Sequence, residues 1–454
     1  MKFKKVLAAI MSAAMMLAMS SCGNGGDKQV PETATETAET TAEGKKTIKL
    51  TLLGGLDTNL ELRIADFNKT SEEYEIEVED RPSSDLAKAI DTLNLEVIAG
   101  NTPDIIDGFF LPIESYAEKG LLADYYNFID NDPEMCREDF LENVFKSYEI
   151  NGGLYQNISG FSLDTLMGKS SIMSEMQGRT SDDFIDLAEK YPDKKFFDMP
   201  TSKYSIFDEF MRYGWRSFID NETGKCDFTG EKFIRILEFC NTYPDKADST
   251  VMSDPNWSQS EADDLRNGKT LFTLWGRYIS DFYSLRTVEE HTFDEPVTVV
   301  GYPDAEGNGV LIDAIGSYLV FESSPVKEGA WEFLRYYYSD EYQKWLFKGN
   351  GVTAGGVFPI KKSVLKAAAE DAKKGLYLMH LDDYSDEIVP NTDEDNQRIL
   401  DLINGATYRA NTSESFAYNI IIEEAEMYFS GQRPAKETAE IIQNRVQNYL
   451  DENR

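Results

Sequence analysis

LNLEVIAGNTPDIID, Leu93–Asp107, is the stretch whose reading decides the fold. In its first half Leu93, Val97 and Ile98 continue the spacing begun at Ile90, so one side of a helix running from about Leu86 to Ile98 is apolar. Gly100 stops that helix, and Pro103 opens an extended segment in which Ile105 and Ile106 make a short apolar strand. Helix, tight turn and buried strand form the repeating step of an α/β sheet. Asp107 then falls at the strand's carboxyl edge, where open α/β sheets bind ligands.

The preceding segment repeats the step. Thr47–Leu53 (TIKLTLL) reads as an apolar strand, Gly54-Gly55 breaks it, Leu60, Ile64 and Phe67 give a helical stripe, and Tyr74–Val78 starts the next strand. Asp57 lies in the loop between strand and helix. Strand-like and helix-like periods keep alternating downstream, which favours sheets covered by helices over an all-α or all-β fold. No GxGxxG or P-loop accompanies them, so nucleotide binding has no support.

The chain opens with Lys2, Lys4 and Lys5, followed by an uncharged run from Val6 to Met19 and then Ser20-Ser21-Cys22-Gly23. This reads as a secretory signal over residues 1–21, since the run is short of the ~20 residues a spanning helix needs. Its end resembles a bacterial lipobox, with Met19 where that pattern prefers leucine, and the resemblance implies lipidation at Cys22. Residues 22–45 have almost no bulky apolar side chain and are expected to be a disordered tether.

The remaining ~400 residues exceed one ordinary hydrophobic core, so two domains are expected. Apolar residues make up 41% and charged residues 28%, with no second long hydrophobic run, which describes a water-soluble body. A formal charge of −36 repels nucleic acid and anionic lipid surfaces, and is read as a solvated surface that keeps the protein monomeric. Beyond Cys22 only Cys136, Cys226 and Cys240 remain. A Cys226–Cys240 bridge is conceivable, but a buried free thiol fits Cys240 better. With no CxxC pair, and His291 and His380 the only histidines, neither zinc nor another metal or cofactor is expected.

LNLEVIAGNTPDIID is similar to a segment of family 1 extracellular solute-binding proteins, the sugar-binding lipoproteins of ABC importers. So is ESYAEKGLLADYYNFID (Glu114–Asp130). Further similar segments follow in that family's order. INGGLYQNISGFSLDTLMGKS (Ile150–Ser170) resembles a first hinge crossing, and RTSDDFIDLA (Arg179–Ala188) a helix capped by Thr180 or Ser181. Then come WRSFIDNETGKCDFTGEKFIRILEF, LRNGKTLFTLWG and VTVVGYPDAEGNG, the last resembling a second crossing. AIGSYLVFESSPVKEGAWEFLRYYYSDEYQKW, GGVFPIKKS and the C-terminal IIIEEAEMYFSGQRPAKETAEIIQNRVQNYLDE complete the series. In the helix of the AIGSYLVFESSPVKEGAWEFLRYYYSDEYQKW segment Ser324-Pro325 is expected at the start, with Trp331, Leu334, Tyr338 and Tyr342 on one stripe.

The resemblance implies an α/β, two-lobed periplasmic-binding-protein-like fold of type II, with discontinuous lobes joined by a hinge. The lobes are placed at 46–160 plus 302–360 and 161–301 plus 361–454. It also implies a monomer on the outer face of the cell membrane that captures a small ligand, a carbohydrate by this reading, and delivers it to the permease subunits of an ABC importer. A sugar presents apolar C–H faces and a rim of hydroxyls, so its site combines aromatic plates with carboxylates. Trp275 and Trp215 are the first stacking candidates, with Phe109, Phe161 and Phe358 after them. Asp57, Asp107 and Asp313 are the carboxylate candidates, and Ser162, Asp164 and Arg277 are plausible additions. Trp331 and Trp345 are read as packing. Two rivals remain: the same fold binding a non-sugar solute or serving as a sensor, and an exported carbohydrate hydrolase. No carboxylate pair or GxSxG marks the latter.

Overall fold

The computed structural model describes residues 44–81, 86–108, 111–220, 222–276, 278–305, 307–348, 356–375, 388–406, 408–409 and 416–452, all within one compact unit, Ala38–Arg454. The expected signal, Cys22, almost all of the tether, Phe109 and Arg277 lie outside these residues.

Two principal sheets organise the chain. β1 (Lys46–Leu52), β2 (Tyr74–Asp80) and β3 (Ile105–Asp107) run parallel, with β1 between the other two. Helices Thr58–Thr70 and Leu86–Ile98 provide the crossovers that parallel pairing requires. The chain then builds a second sheet. β4 (Gly160–Lys169) is its long central strand; β5 (Lys195–Phe197) follows, then a small separate hairpin of β6 (Ile219–Asp220) and β7 (Lys225–Cys226). β8 (Thr270–Gly276), β9 (Val297–Val299) and β10 (Leu311–Ile315) return to the second sheet, whereas β11 (Tyr318–Val320) pairs antiparallel with β3 in the first. β12 (Phe358–Pro359) and β13 (Tyr408–Arg409) complete the second sheet.

The backbone therefore passes between the sheets three times: before β4, between β10 and β11, and before β12. The second passage falls at Gly316-Ser317 and not at Val297–Gly309, where the sequence reading set it. β10 is held to the second sheet by its register with β4, Leu311 opposite Asp164 through Ile315 opposite Gly160. The passages bind one another. Asn157 N donates to Tyr318 O (3.0 Å), Tyr318 N to Asn157 Oδ1 (2.9 Å), and Ser159 N to Ile315 O (2.7 Å). Gly316 fits this crossing because its φ is +110° and a Cβ would stand 2.8 Å from Asn157 O.

One apolar cluster runs from the first sheet (Ile48, Leu50, Ile105) through the crossings to Phe161, Leu163, Ile312 and Phe358 of the second. Another covers the opposite face of the second sheet with helices Ser181–Lys190, Lys203–Gly214, Glu231–Cys240, Phe416–Phe429 and Ala435–Glu452. Thr180 caps the first of these in a capping box with Asp183. The expected terminal stripe docks there through Ala439, Ile442 and Val446, and Tyr449 stacks on Phe416 at 4.8 Å. Cys136, Cys226 and Cys240 are free. No described helix is long and apolar enough to cross a membrane.

The aromatic helix after β11 departs from its expected form. Pro325 stands outside it, and three short pieces replace the single helix: Lys327–Leu334, a 3-10 turn Arg335–Tyr338, and Asp340–Phe347, restarted by the Ser339 cap. Across these pieces Trp331, Leu334 and Tyr338 are buried in the first cluster and Tyr342 packs against it.

Candidate functional site

The second crossing leads from the carboxyl end of β10 to β11, which pairs with β3 and sets Tyr318 opposite Asp107. β1 ends at Leu52, and Asp57 then caps helix Thr58–Thr70, its Oδ1 accepting from Asn59 N (2.7 Å) and Leu60 N (3.1 Å). The carboxylate is exposed. Asp107 closes β3 opposite Tyr318 and accepts from the Ser317 hydroxyl at the second crossing. Both carboxylates are close enough to act on the half-buried Tyr318 phenol: burial pushes it up, a bond with Tyr337 pulls back, and Asp107 and Asp57 raise it further.

Asp313 lies five residues before Tyr318, exposed on β10 and opposite the buried Ser162. Next along β4, Asp164 accepts from Tyr302 Oη (2.8 Å) and from Arg212 Nη1 (3.1 Å). Arg212 also holds Glu209 through Nε (3.0 Å), while burial pushes the Glu209 carboxyl up against that attraction. This network positions Asp164 beside the carboxyl end of β8, where it faces Gly276.

The aromatic candidates divide. Trp275 is half-buried, opposite Thr165, and its Nε1 has no hydrogen-bond partner among the described residues. Trp215 is buried under the Arg216 guanidinium, 4.6 Å above its ring. Phe161 and Phe358 do come together, 5.3 Å apart and stacked at 20°, but both are 0% exposed. That corrects their expected role: rings with no free face serve the core at the first and third crossings, and stacking on a ligand would require dismantling it. Trp331 is packing, as expected, with Nε1 donating to Asp132 Oδ2 (2.9 Å). Trp345 is instead half-buried and stacked on Tyr342.

The sequence reading passed over Asp198. It follows β5, whose carboxyl end pairs in parallel with Phe272 in the middle of β8, and Thr273 Oγ1 donates to its Oδ2. The signal was available in Phe196-Phe197-Asp198-Met199-Pro200, a short apolar run ending in an acid before proline. Oδ1 is buried without a hydrogen-bond partner among the described residues. Burial pushes the Asp198 carboxyl up to about 6, against the opposing Thr273 bond. A carboxyl raised on folding stabilises the protein below its unfolded value and loses that contribution as pH rises through about 6. Asp198→Asn is therefore expected to raise unfolding free energy by up to about 3 kcal/mol at pH 7.5 and to leave it unchanged near pH 4. Urea midpoints at the two pH values check this; equal differences at both would contradict it.

Among the described residues no group of three or more His, Cys, Asp or Glu side chains is placed to hold a metal. Carboxylates, hydroxyls and aromatic rings around the crossings suit a polar, hydroxylated ligand.

Comparisons with known proteins agree with this organisation. The family profile described as "Bacterial extracellular solute-binding protein" matches residues 63–376. No curated protein matches the chain. Among solved structures, the sugar-binding protein MalE from Xanthomonas citri is 16% identical, with 90% of this chain and 98% of that one covered at a TM-score of 0.55. The cyclic α-maltosyl-1,6-maltose binding protein from Arthrobacter globiformis is 14% identical over 90% and 100% of the two chains, TM-score 0.52. An ABC substrate-binding protein from Listeria monocytogenes, in complex with cycloalternan, is 14% identical over 90% and 99%, TM-score 0.51. These likenesses show an α/β fold of the two-lobed, periplasmic-binding-protein-like kind.

Proposed function

Because the chain belongs to the bacterial extracellular solute-binding proteins, which bind solutes rather than convert them, we propose that it captures a carbohydrate between its two lobes and hands it to an ABC permease. The lobes are the bodies built on the first and second sheets, and closure is a rotation about the three crossings. A lipid on Cys22 holds the protein at the outer face of the membrane, with residues 22–45 as its tether. The observation that carries the reading is the pairing of Asp107 with Tyr318 at the second crossing, where Asp107 also accepts from the Ser317 hydroxyl; Asp57 and Asp313 are the further carboxylates of the site. Carboxylates accept from sugar hydroxyls and aromatic rings pack on sugar C–H faces. Trp275 contributes from the end of β8.

A ligand that binds only the folded form raises its stability, by about 2.7 kcal/mol at a hundredfold excess over Kd. A thermal-shift screen of sugars, oligosaccharides, peptides and polyamines is expected to give an upward shift with at least one carbohydrate, reduced in Trp275→Ala. A shift confined to peptides or polyamines would replace the carbohydrate with a different solute.

A further inference from the structure

Between helix Glu231–Cys240 and β8 the chain makes a long excursion over the outside of the protein. No residue in 244–267 is buried, although the stretch contains a 3-10 turn, Ser249–Ser253, and helix Trp257–Arg266. Lysines tie down its two ends. At the first, Lys203 N donates to Pro244 O (3.0 Å) and Lys203 Nζ meets Asp245 Oδ1 at 2.6 Å. At the second, Lys195 Nζ holds Glu261 (2.7 Å) and Asp264 (2.9 Å), Lys269 holds Asp264 (2.9 Å), and Lys169 Nζ donates to Arg266 O (2.7 Å). Between these ties, among the described residues, the hydrogen bonds of residues 246–260 run only to one another and into helix Trp257–Arg266.

The middle of this strap is apolar. Val251 and Met252 are 42% and 45% exposed, Trp257 is half-buried, and none of the three joins an apolar cluster of the core. Contiguous apolar side chains held in water mark a surface that is covered in another state of the molecule.

The chain path directs that surface toward Trp275. Asn267 and Gly268 turn helix Trp257–Arg266 straight into β8, so helix and strand run antiparallel and the start of the helix approaches the carboxyl end of β8. Leu265 accordingly packs against the same small cluster as Trp275. Ten residues of helix span about 15 Å and the strand from Thr270 to Trp275 about 17 Å, which sets Trp257 level with Trp275. On the neighbouring strand Asp198 is bonded by Thr273, and Met199, the residue after it, adds a side chain 38% exposed at that same end.

We propose that residues 246–260 form a strap that folds down over the ligand beside Trp275, covering Val251, Met252 and Trp257 and slowing the ligand's escape. The proposal rests on the carbohydrate reading above, with Trp275 in the site, and adds a gate on the second lobe that moves separately from the rotation between lobes. The lysine ties at 244–245 and 261–266 are its pivots: they keep both ends in place while the middle, which has nothing to break, changes position.

The test uses the chain without its signal and three probes, maltose, maltotetraose and cycloalternan, with calorimetry showing which of them binds. Hydrogen–deuterium exchange over residues 246–260 should slow by about tenfold or more in the complex, and hydroxyl-radical labelling of Met252 and Trp257 should fall. Val251→Ser combined with Met252→Ser alters only exposed side chains, so the fold is not at risk. This double variant should release bound sugar about tenfold faster while association stays within about twofold of wild type, because a strap that closes after binding governs escape. A sugar bound by calorimetry with exchange over 246–260 unchanged, or leaving the double variant as slowly as wild type, overturns the strap and leaves carbohydrate binding intact. Binding of none of the three sugars overturns the carbohydrate reading and the strap with it.

Discussion

Gln343→Leu is expected to cost about 3–6 kcal/mol of unfolding free energy, because one buried amide satisfies four backbone groups on three separate segments. Its Nε2 donates to Ser159 O and to Tyr337 O (2.8 Å), and its Oε1 accepts from Ile360 N (2.9 Å) and Lys361 N (3.4 Å). Ser159 belongs to the first crossing and Ile360 directly follows β12, so this side chain ties the first crossing to the chain just past the third. Leucine fits the volume but leaves the donors and acceptors without partners, at about 1–3 kcal/mol for each one truly stranded. Urea unfolding measures the effect. A loss below about 1 kcal/mol would mean that water takes over those bonds and that the crossings are less tightly tied than argued.

Gly276→Ala should be comparably severe and for a different reason. Gly276 has φ +107°, and an added Cβ would lie 2.1 Å from Leu163 O on the neighbouring strand. Neither strain nor contact can be relieved without parting β4 from β8, where Gly276 sits opposite Asp164. Loss of about 3 kcal/mol or more is expected, together with weakened ligand binding, since Trp275 and Asp164 both move with that strand pair. Gly54→Ala is the control: no atom lies within 4 Å of its would-be Cβ and its φ is not in the left-handed region, so it should be close to neutral. Equal effects at the two positions would refute the steric account.

Much of the first sheet was legible because its signals are local. Thr47–Leu53, the stop at Gly54-Gly55 and the turn at Gly100 each act within a few residues, and the observed β1, β2 and β3 follow from them. The cap at Thr180 was legible for the same reason. Sheet membership further on was not. β10 joins the second sheet through pairing with β4, about 150 positions earlier in sequence, and no local pattern encodes that register. Phe161 and Phe358 illustrate the same limit, since their burial follows from facing each other across two crossings.

The aromatic helix shows how far a local signal reaches: Trp331, Leu334, Tyr338 and Tyr342 do pack on one cluster, but Ser339 ends one helical piece and caps another, which spacing alone did not show. Asp57 and Asp107 were singled out because open sheets bind ligands just past a strand's carboxyl edge, and the structure sets Asp107 at the end of β3 and Asp57 in the loop after β1. Asp198 obeys the same rule on the second sheet, where a three-residue strand gave too faint a pattern.

The account stands or falls on closure of two lobes over a bound sugar. Small-angle X-ray scattering of the chain without its signal, recorded alone and with a saturating carbohydrate from the thermal-shift panel, measures this directly. The account predicts a smaller radius of gyration in the complex; an unchanged radius, with calorimetry showing the sugar bound, would contradict it.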